Sequence, residues 1–219
     1  MSLTYDTFVA ALSLEAVIQP SENASFSSFL PTIIDQAEQL IYRDLDLIAT
    51  IVSDQTGVAT PNQRQFSLPQ VFVVLQSINL MNGTVRTPLT KTSREVIDFF
   101  YPDDTGNASF PPKRWGPLRD QVILLGPSPA SAYTLECIGT VRPANLSETN
   151  QTTFISQNLP DLMMSAAMYY TAGYKQNWGA QSDNPGEAIS WKSTYDMQLK
   201  SADAEEMRRK YQATAGRAQ

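Results

Sequence analysis

Histidine is missing from all 219 residues, and cysteine occurs once, as Cys137. Without histidine the chain has no Ser-His or Cys-His nucleophile pair and no His-ligated metal centre. A single cysteine rules out a disulfide within the chain. Cys137 lies in an apolar run, 132–138, where a thiol serves as a small hydrophobe rather than as a nucleophile. Charge is also scarce: Asp, Glu, Lys and Arg make up 17% of residues, with 16 basic against 22 acidic and a net charge of −6. A general nucleic-acid binder needs a basic stripe to displace phosphate counterions, and this balance argues against one. It allows DNA to pass nearby, because an acidic wall repels the duplex and lets it slide. No apolar run approaches the length of a membrane span, and the first six residues lack the basic segment and apolar stretch of a leader peptide. The phosphate-cradling pattern GxxxxGK[ST] is absent. The expectation is no enzyme, no cofactor and no metal.

What is present is a core. Hydrophobic residues reach 42%, enough for one large domain or for a domain carrying an insertion. Residues 4–18 place Tyr5, Phe8, Val9, Leu12 and Ala16 on one face of a short helix. A second helix is expected from near Pro31, with Ile33, Ile34, Ala37, Leu40, Ile41 and Leu45 as its buried stripe; proline suits a first helical turn. From about 47 to 142 the chain reads as β-rich. Asp54 and Gly57 bound an expected turn, and 71–75 resembles a strand buried on both faces. Asn82-Gly83 marks a type I′ hairpin. Residues 93–100 read as a short helix within this region, and 102–117 as a long Pro/Gly-rich loop. The runs 121–125 and 132–138, around Gly126-Pro127-Ser128-Pro129, read as an antiparallel strand pair.

Helical patterning returns after Leu146. Leu162, Met163, Ala166, Tyr170 and Tyr174 form one face, and a last helix opens at Asn184-Pro185-Gly186-Glu187. Its stripe runs through Ala188, Trp191, Tyr195, Leu199, Ala202 and Met207 or Tyr211. Strands clustered between helical ends define an α+β fold, a helical bundle from both chain ends with an inserted β-rich segment. The expected boundaries are 1–46 and 143–211 for the bundle, 47–142 for the insertion and 212–219 for a flexible tail.

The order of these pieces resembles the head-to-tail adaptor proteins (connector, or tail tubular type A-like) of tailed bacteriophages. The resemblance rests on Leu30-Pro31-Thr32-Ile33-Ile34, Ala37-Glu38 and Arg43-Asp44-Leu45, on Phe66-Ser67-Leu68-Pro69, on residues 93–103 and 124–135, and on Leu159-Pro160-Asp161-Leu162. It implies a structural virion protein of the neck, made in the host cytoplasm. Such a protein forms a ring, a dodecamer by the same resemblance, that joins portal to tail or nozzle and leaves a channel for DNA ejection. Related alternatives are a tail-completion or stopper ring protein and, from another class, a tail-associated polysaccharide hydrolase with a carboxylate pair across a cleft.

The candidate site residues are contact residues. Arg208, Arg209, Lys210, Tyr211 and Arg217 collect charge and one aromatic ring at the C-terminus. There the resemblance implies docking onto the portal, by a tail that orders on binding. Cations at a helix end also suit the macrodipole, which accounts for some of them without a partner. Lys113, Arg114 and Trp115 form a second candidate, read as a loop tip against a neighbouring protein or, without one, as a partly buried Trp with its two cations in water. Asp103-Asp104 reads as turn chemistry rather than as a metal site. The five Asn-x-Ser/Thr sequons, beginning with Asn23-Ala24-Ser25, read the same way.

Overall fold

Residues 3–19, 21, 23–102, 110–175, 184 and 186–215 are described by a computed structural model. Among them are six α-helices and two four-stranded sheets, an α+β chain. The helices are α1 (Tyr5–Ala16), α2 (Ala24–Asp44), α3 (Arg94–Phe100), α4 (Phe154–Asn158), α5 (Pro160–Tyr174) and α6 (Glu187–Ala215). The chain divides into two compact units, 1–49 with 143–219, and 50–142.

The first unit holds every helix except α3. Thr4 caps α1 reciprocally with Thr7: Thr4 Oγ1 accepts the Thr7 N–H and Thr7 Oγ1 accepts the Thr4 N–H. Asn23 caps α2 by accepting the Phe26 N–H at 3.0 Å. The helix therefore starts seven residues before the expected Pro31, which lies in its interior. Pro31 is tolerated there because it and Ser27, whose carbonyl loses its helical partner, both face solvent, where water replaces the bond. Phe8, Leu12, Phe26, Ile33, Ile34, Ile41, Met163 and Tyr195 form the centre of the core, none of them exposed. Tyr174 packs its ring between Phe26 and Phe29, at centroid distances of 5.4 and 5.5 Å.

A carboxylate lies inside this apolar unit. Glu38 of α2 accepts the Leu146 N–H at 2.9 Å and the Thr153 hydroxyl at 2.8 Å. One turn earlier, Asp35 accepts the Asn145 side-chain amide. The pair holds the irregular segment before α4 onto α2, and burial pushes the Glu38 carboxyl above its ordinary pKa.

The second unit contains β1 (Ile51–Ala59), β2 (Gln65–Ser67), β3 (Val74–Asn82), β4 (Val85–Pro88), β5 (Thr90–Lys91), β6 (Arg114–Arg119), β7 (Val122–Gly126) and β8 (Tyr133–Thr140), with α3 between β5 and β6. One sheet runs β1-β8-β3-β4 and the other β2-β7-β6-β5. Ile78, Leu80, Leu135 and Cys137 of the first meet Phe66, Trp115, Ile123 and Leu125 of the second in one core. Burial pushes the Cys137 thiol up to about 12, so it stays protonated as the small hydrophobe expected of it.

Three expectations change here. The runs flanking Gly126-Pro127 are strands but do not pair: β7 bonds to β2 and β6, and β8 bonds to β1 and β3. Both are central strands with each edge already filled, so the intervening turn carries the chain from one sheet to the other. The hairpin partner of β7 is β6, joined through Asp120-Gln121 with Gln121 at φ 55°. Residues 71–75 are mostly not strand. Val71, Val73 and Val74 are exposed, Leu75 packs partly buried against the core, and Phe72 is buried, its backbone N–H and C=O both held by the Gln121 side chain at 3.0 Å. Asp54 to Gly57 is not a turn but a bulge within β1, where Asp54 accepts the Thr56 N–H and hydroxyl.

The Asn82-Gly83 hairpin forms, with a changed turn. Asn82 pairs with Val85, so Gly83 and Thr84 are the central residues. Gly83 alone has positive φ, at 60°, which is the type II′ pattern rather than I′.

On the outward face of β8, opposite Leu135 and Cys137, Glu136 gathers donors from the other three strands of its sheet. Its carboxylate accepts from Ser53 and Gln55 of β1, Asn79 of β3 and Arg86 of β4, all between 2.8 and 2.9 Å.

Candidate docking surface

The C-terminal half of α6 is built around the second buried carboxylate of the helical unit. The stripe through Tyr195, Leu199 and Ala202 continues at a helical step of three or four to residue 206, and Glu206 is buried there. Its Oε1 accepts the Ile48 N–H at 2.7 Å, and its Oε2 accepts Arg209 Nη1 at 2.7 Å. Arg209 lays its guanidinium over the Phe154 ring at 4.9 Å, and Lys210 pairs with Asp46 at 2.7 Å. Three side chains from two helical turns thus fasten α6 to residues 46–48 and to α4. Tyr195, two turns before Ala202, is fastened similarly, donating to Asp44 at 2.8 Å.

Fastening that face turns another outward. Met207 is 63% exposed and Tyr211 76%, with Arg208 exposed between them. Among the described residues Arg208 bonds back to its own helix, its Nε donating to the Ala204 carbonyl at 3.1 Å. Met207 and Tyr211 are one step off the buried stripe, so their expected place in it is corrected. Extrapolating the stripe by apolar identity passed over Glu206, although the helical interval points to it. The helix also runs on to Ala215, through positions expected to form a tail. Arg217 lies outside the described residues.

The C-terminal candidates therefore separate by role. Arg209 and Lys210 are paired within the unit, whereas Met207, Arg208 and Tyr211 stand in an outward row on the same helix. Methionine, arginine and tyrosine are the residue types enriched where proteins bury surface against one another.

The second candidate falls differently. Arg114 and Trp115 are in β6 and not at a loop tip, and Trp115 is only 2% exposed, so its ring has almost no surface to offer. The Lys91 ammonium lies over it at 5.2 Å. Arg114 stacks on Phe100 at 4.9 Å, and Lys113 lies 6.0 Å from the Phe110 ring. Asp103 and Asp104 lie outside the described residues. Among those described, no group of His, Cys, Asp and Glu is placed to hold a metal, and no helix is long and apolar enough to cross a membrane.

Charge divides unequally between the units. The helical unit holds eight basic and fifteen acidic residues, a net −7, and the β-rich unit eight and seven, a net +1. The net acidity found in the sequence belongs to the helical half.

This face offers exposed apolar, cationic and aromatic side chains on a helix end held to the rest of its unit. The chain belongs to the SU10 adaptor protein family, which it matches over residues 3–218. At the family level this bears out the resemblance to phage head-to-tail adaptors. No curated protein matches the chain.

Proposed function

We propose that this protein is a structural component of the virion neck, a ring-forming adaptor that joins the portal to the tail and leaves a channel open for DNA. The observation that carries the reading is the outward row Met207, Arg208 and Tyr211 on a helix end held by Glu206, Arg209 and Lys210. An anchored helix presents its side chains with little left to order on binding, so more of the contact free energy appears as affinity. The concentration of acidic residues in the helical unit supports a wall past which DNA slides without adhering. The role asks for no reaction, cofactor or metal.

The test separates docking from folding. Met207→Ala with Arg208→Ala and Tyr211→Ala alters only exposed side chains, so the variant should keep the parent's circular dichroism and melting. It should no longer cosediment with purified portal at physiological salt, and particles carrying it should package DNA but lack tails. Normal cosedimentation of the folded variant would place portal docking on another surface and overturn this assignment.

A further inference from the structure

The helical unit has one more pair of features that its own fold does not use. At the end of α1, Leu14 is 75% exposed and Val17 88% exposed, on either side of buried Ala16. Val17 closes the helix in the left-handed conformation, φ 56° and ψ 37°. A β-branched residue is strained there, and glycine is the usual choice at a left-handed helix end. Two bare aliphatic side chains, one on strained backbone, stand beside the exposed carboxylate of Glu15. On α5 and α6 there is an open groove of about 630 Å³. Tyr169, Ala188, Ile189 and Met197 supply its apolar lining, and Ile189 and Met197 are mostly exposed. Lys192 and Lys200 stand at it. Lys192 is paired with Asp196 at 2.7 Å, whereas Lys200 makes no ion pair among the described residues.

We propose that Leu14 and Val17 of one copy of this chain seat in the α5–α6 groove of a second copy, with Glu15 facing Lys200. The proposal rests on the ring reading above and supplies its subunit contact. Three observations name a second copy as the occupant. Knob and groove belong to the same unit, so every copy carries both halves of the contact. Their charges are complementary, Glu15 on the knob and Lys200 at the groove, within a unit that is otherwise net acidic and would repel itself. The contact also joins unlike surfaces, and a head-to-tail contact of that kind generates rings when its rotation closes. The strain at Val17 acquires a purpose, since glycine there would relieve the backbone but remove the side chain that fills the groove.

The decisive experiment is a paired cysteine variant, Val17→Cys with Met197→Cys, oxidised in the isolated chain and in the chain assembled on purified portal. The native thiol, Cys137, is buried and does not interfere. A covalent ladder longer than a dimer is expected from the double variant and from neither single one. Material that sediments as an oligomer without a ladder would overturn the knob-and-groove contact and leave the ring standing. Absence of any oligomer, with or without portal, would overturn the ring reading itself. Two further variants guard against misfolding. Glu15→Lys should weaken self-association more than about tenfold, and adding Lys200→Glu should restore it. Val17→Gly should melt no lower than the parent yet associate more weakly. A Val17→Gly protein that assembles normally would show that the side chain has no role in the contact.

Discussion

Tyr195 Oη donates to Asp44 Oδ2 at 2.8 Å, joining the third turn of α6 to the last residue of α2 across 151 positions of sequence. The Tyr195 side chain is fully buried, and burial, followed by the Asp44 carboxylate, raises its phenol pKa. Tyr195→Phe keeps the ring and removes the bond. It should cost about 1.5–3 kcal/mol, the range for a hydrogen bond to a charged group, read from urea denaturation with an unchanged slope.

Glu136 has the opposite pH signature to that of a buried apolar-site acid. Donation from Arg86 first, and then from Asn79, Gln55 and Ser53, holds its carboxyl down to about 2, against a burial effect that works the other way. A depressed native pKa gives stability that is present above the unfolded value, near 4.5, and is lost as pH falls toward about 2. Acid titration of the parent should show this loss, and Glu136→Gln should flatten it. Glu136→Ala, which removes all four acceptor contacts, should be less stable than Glu136→Gln at pH 7.

Glu38 reverses the sign. Burial raises its pKa above the ordinary 4.5, partly opposed by the Leu146 N–H and the Thr153 hydroxyl. The folded state therefore holds the proton more tightly than the unfolded chain, and stability declines as pH climbs through that interval. Glu38→Gln should remove this dependence and melt at least as high as the parent at pH 7. Glu38→Ala leaves a buried N–H and hydroxyl without their acceptor and should cost about 2–3 kcal/mol by denaturant titration.

Gly83 sits at φ 60° with nothing within 4 Å of where a Cβ would project. Gly83→Val therefore clashes with no neighbour, and its whole effect is the backbone's reluctance to be left-handed. The expected loss is about 1–2 kcal/mol, seen as a lower melting temperature. Gly83→Asn should lose less, because asparagine tolerates this region better.

Much of the helical unit was legible in advance. The stripes through Phe8 and Leu12, through Ile33, Ile34 and Ile41, and through Leu162, Met163 and Ala166 are all buried as their spacing requires. Periodicity reads well in helices because neighbours on a face are set by the chain's own geometry. It failed at Glu206, where a carboxylate occupies the buried position and Met207 and Tyr211 face solvent. The reason is the Ile48 backbone N–H, which lies 158 residues away in sequence and makes burial of the acid acceptable. The outward row was therefore half legible: Arg208 and Tyr211 were contact candidates from sequence, Met207 or Tyr211 was placed on the buried stripe, and the pairings of Arg209 and Lys210 with Glu206 and Asp46 were not foreseen.

By itself the sequence determined the α+β class, the helical stripes, the hairpin at Gly83 and the exclusion of histidine chemistry, because each follows from residue type or from contacts within a few positions. Only the tertiary structure decided which strands pair. β7 and β8, adjacent in sequence across Gly126-Pro127, belong to different sheets because each already has a neighbour on both edges. It also decided which acids are buried, since Glu38, Glu136 and Glu206 depend on donors distant in sequence. A strand's edges and a carboxylate's donors are supplied by segments that local patterning never brings together.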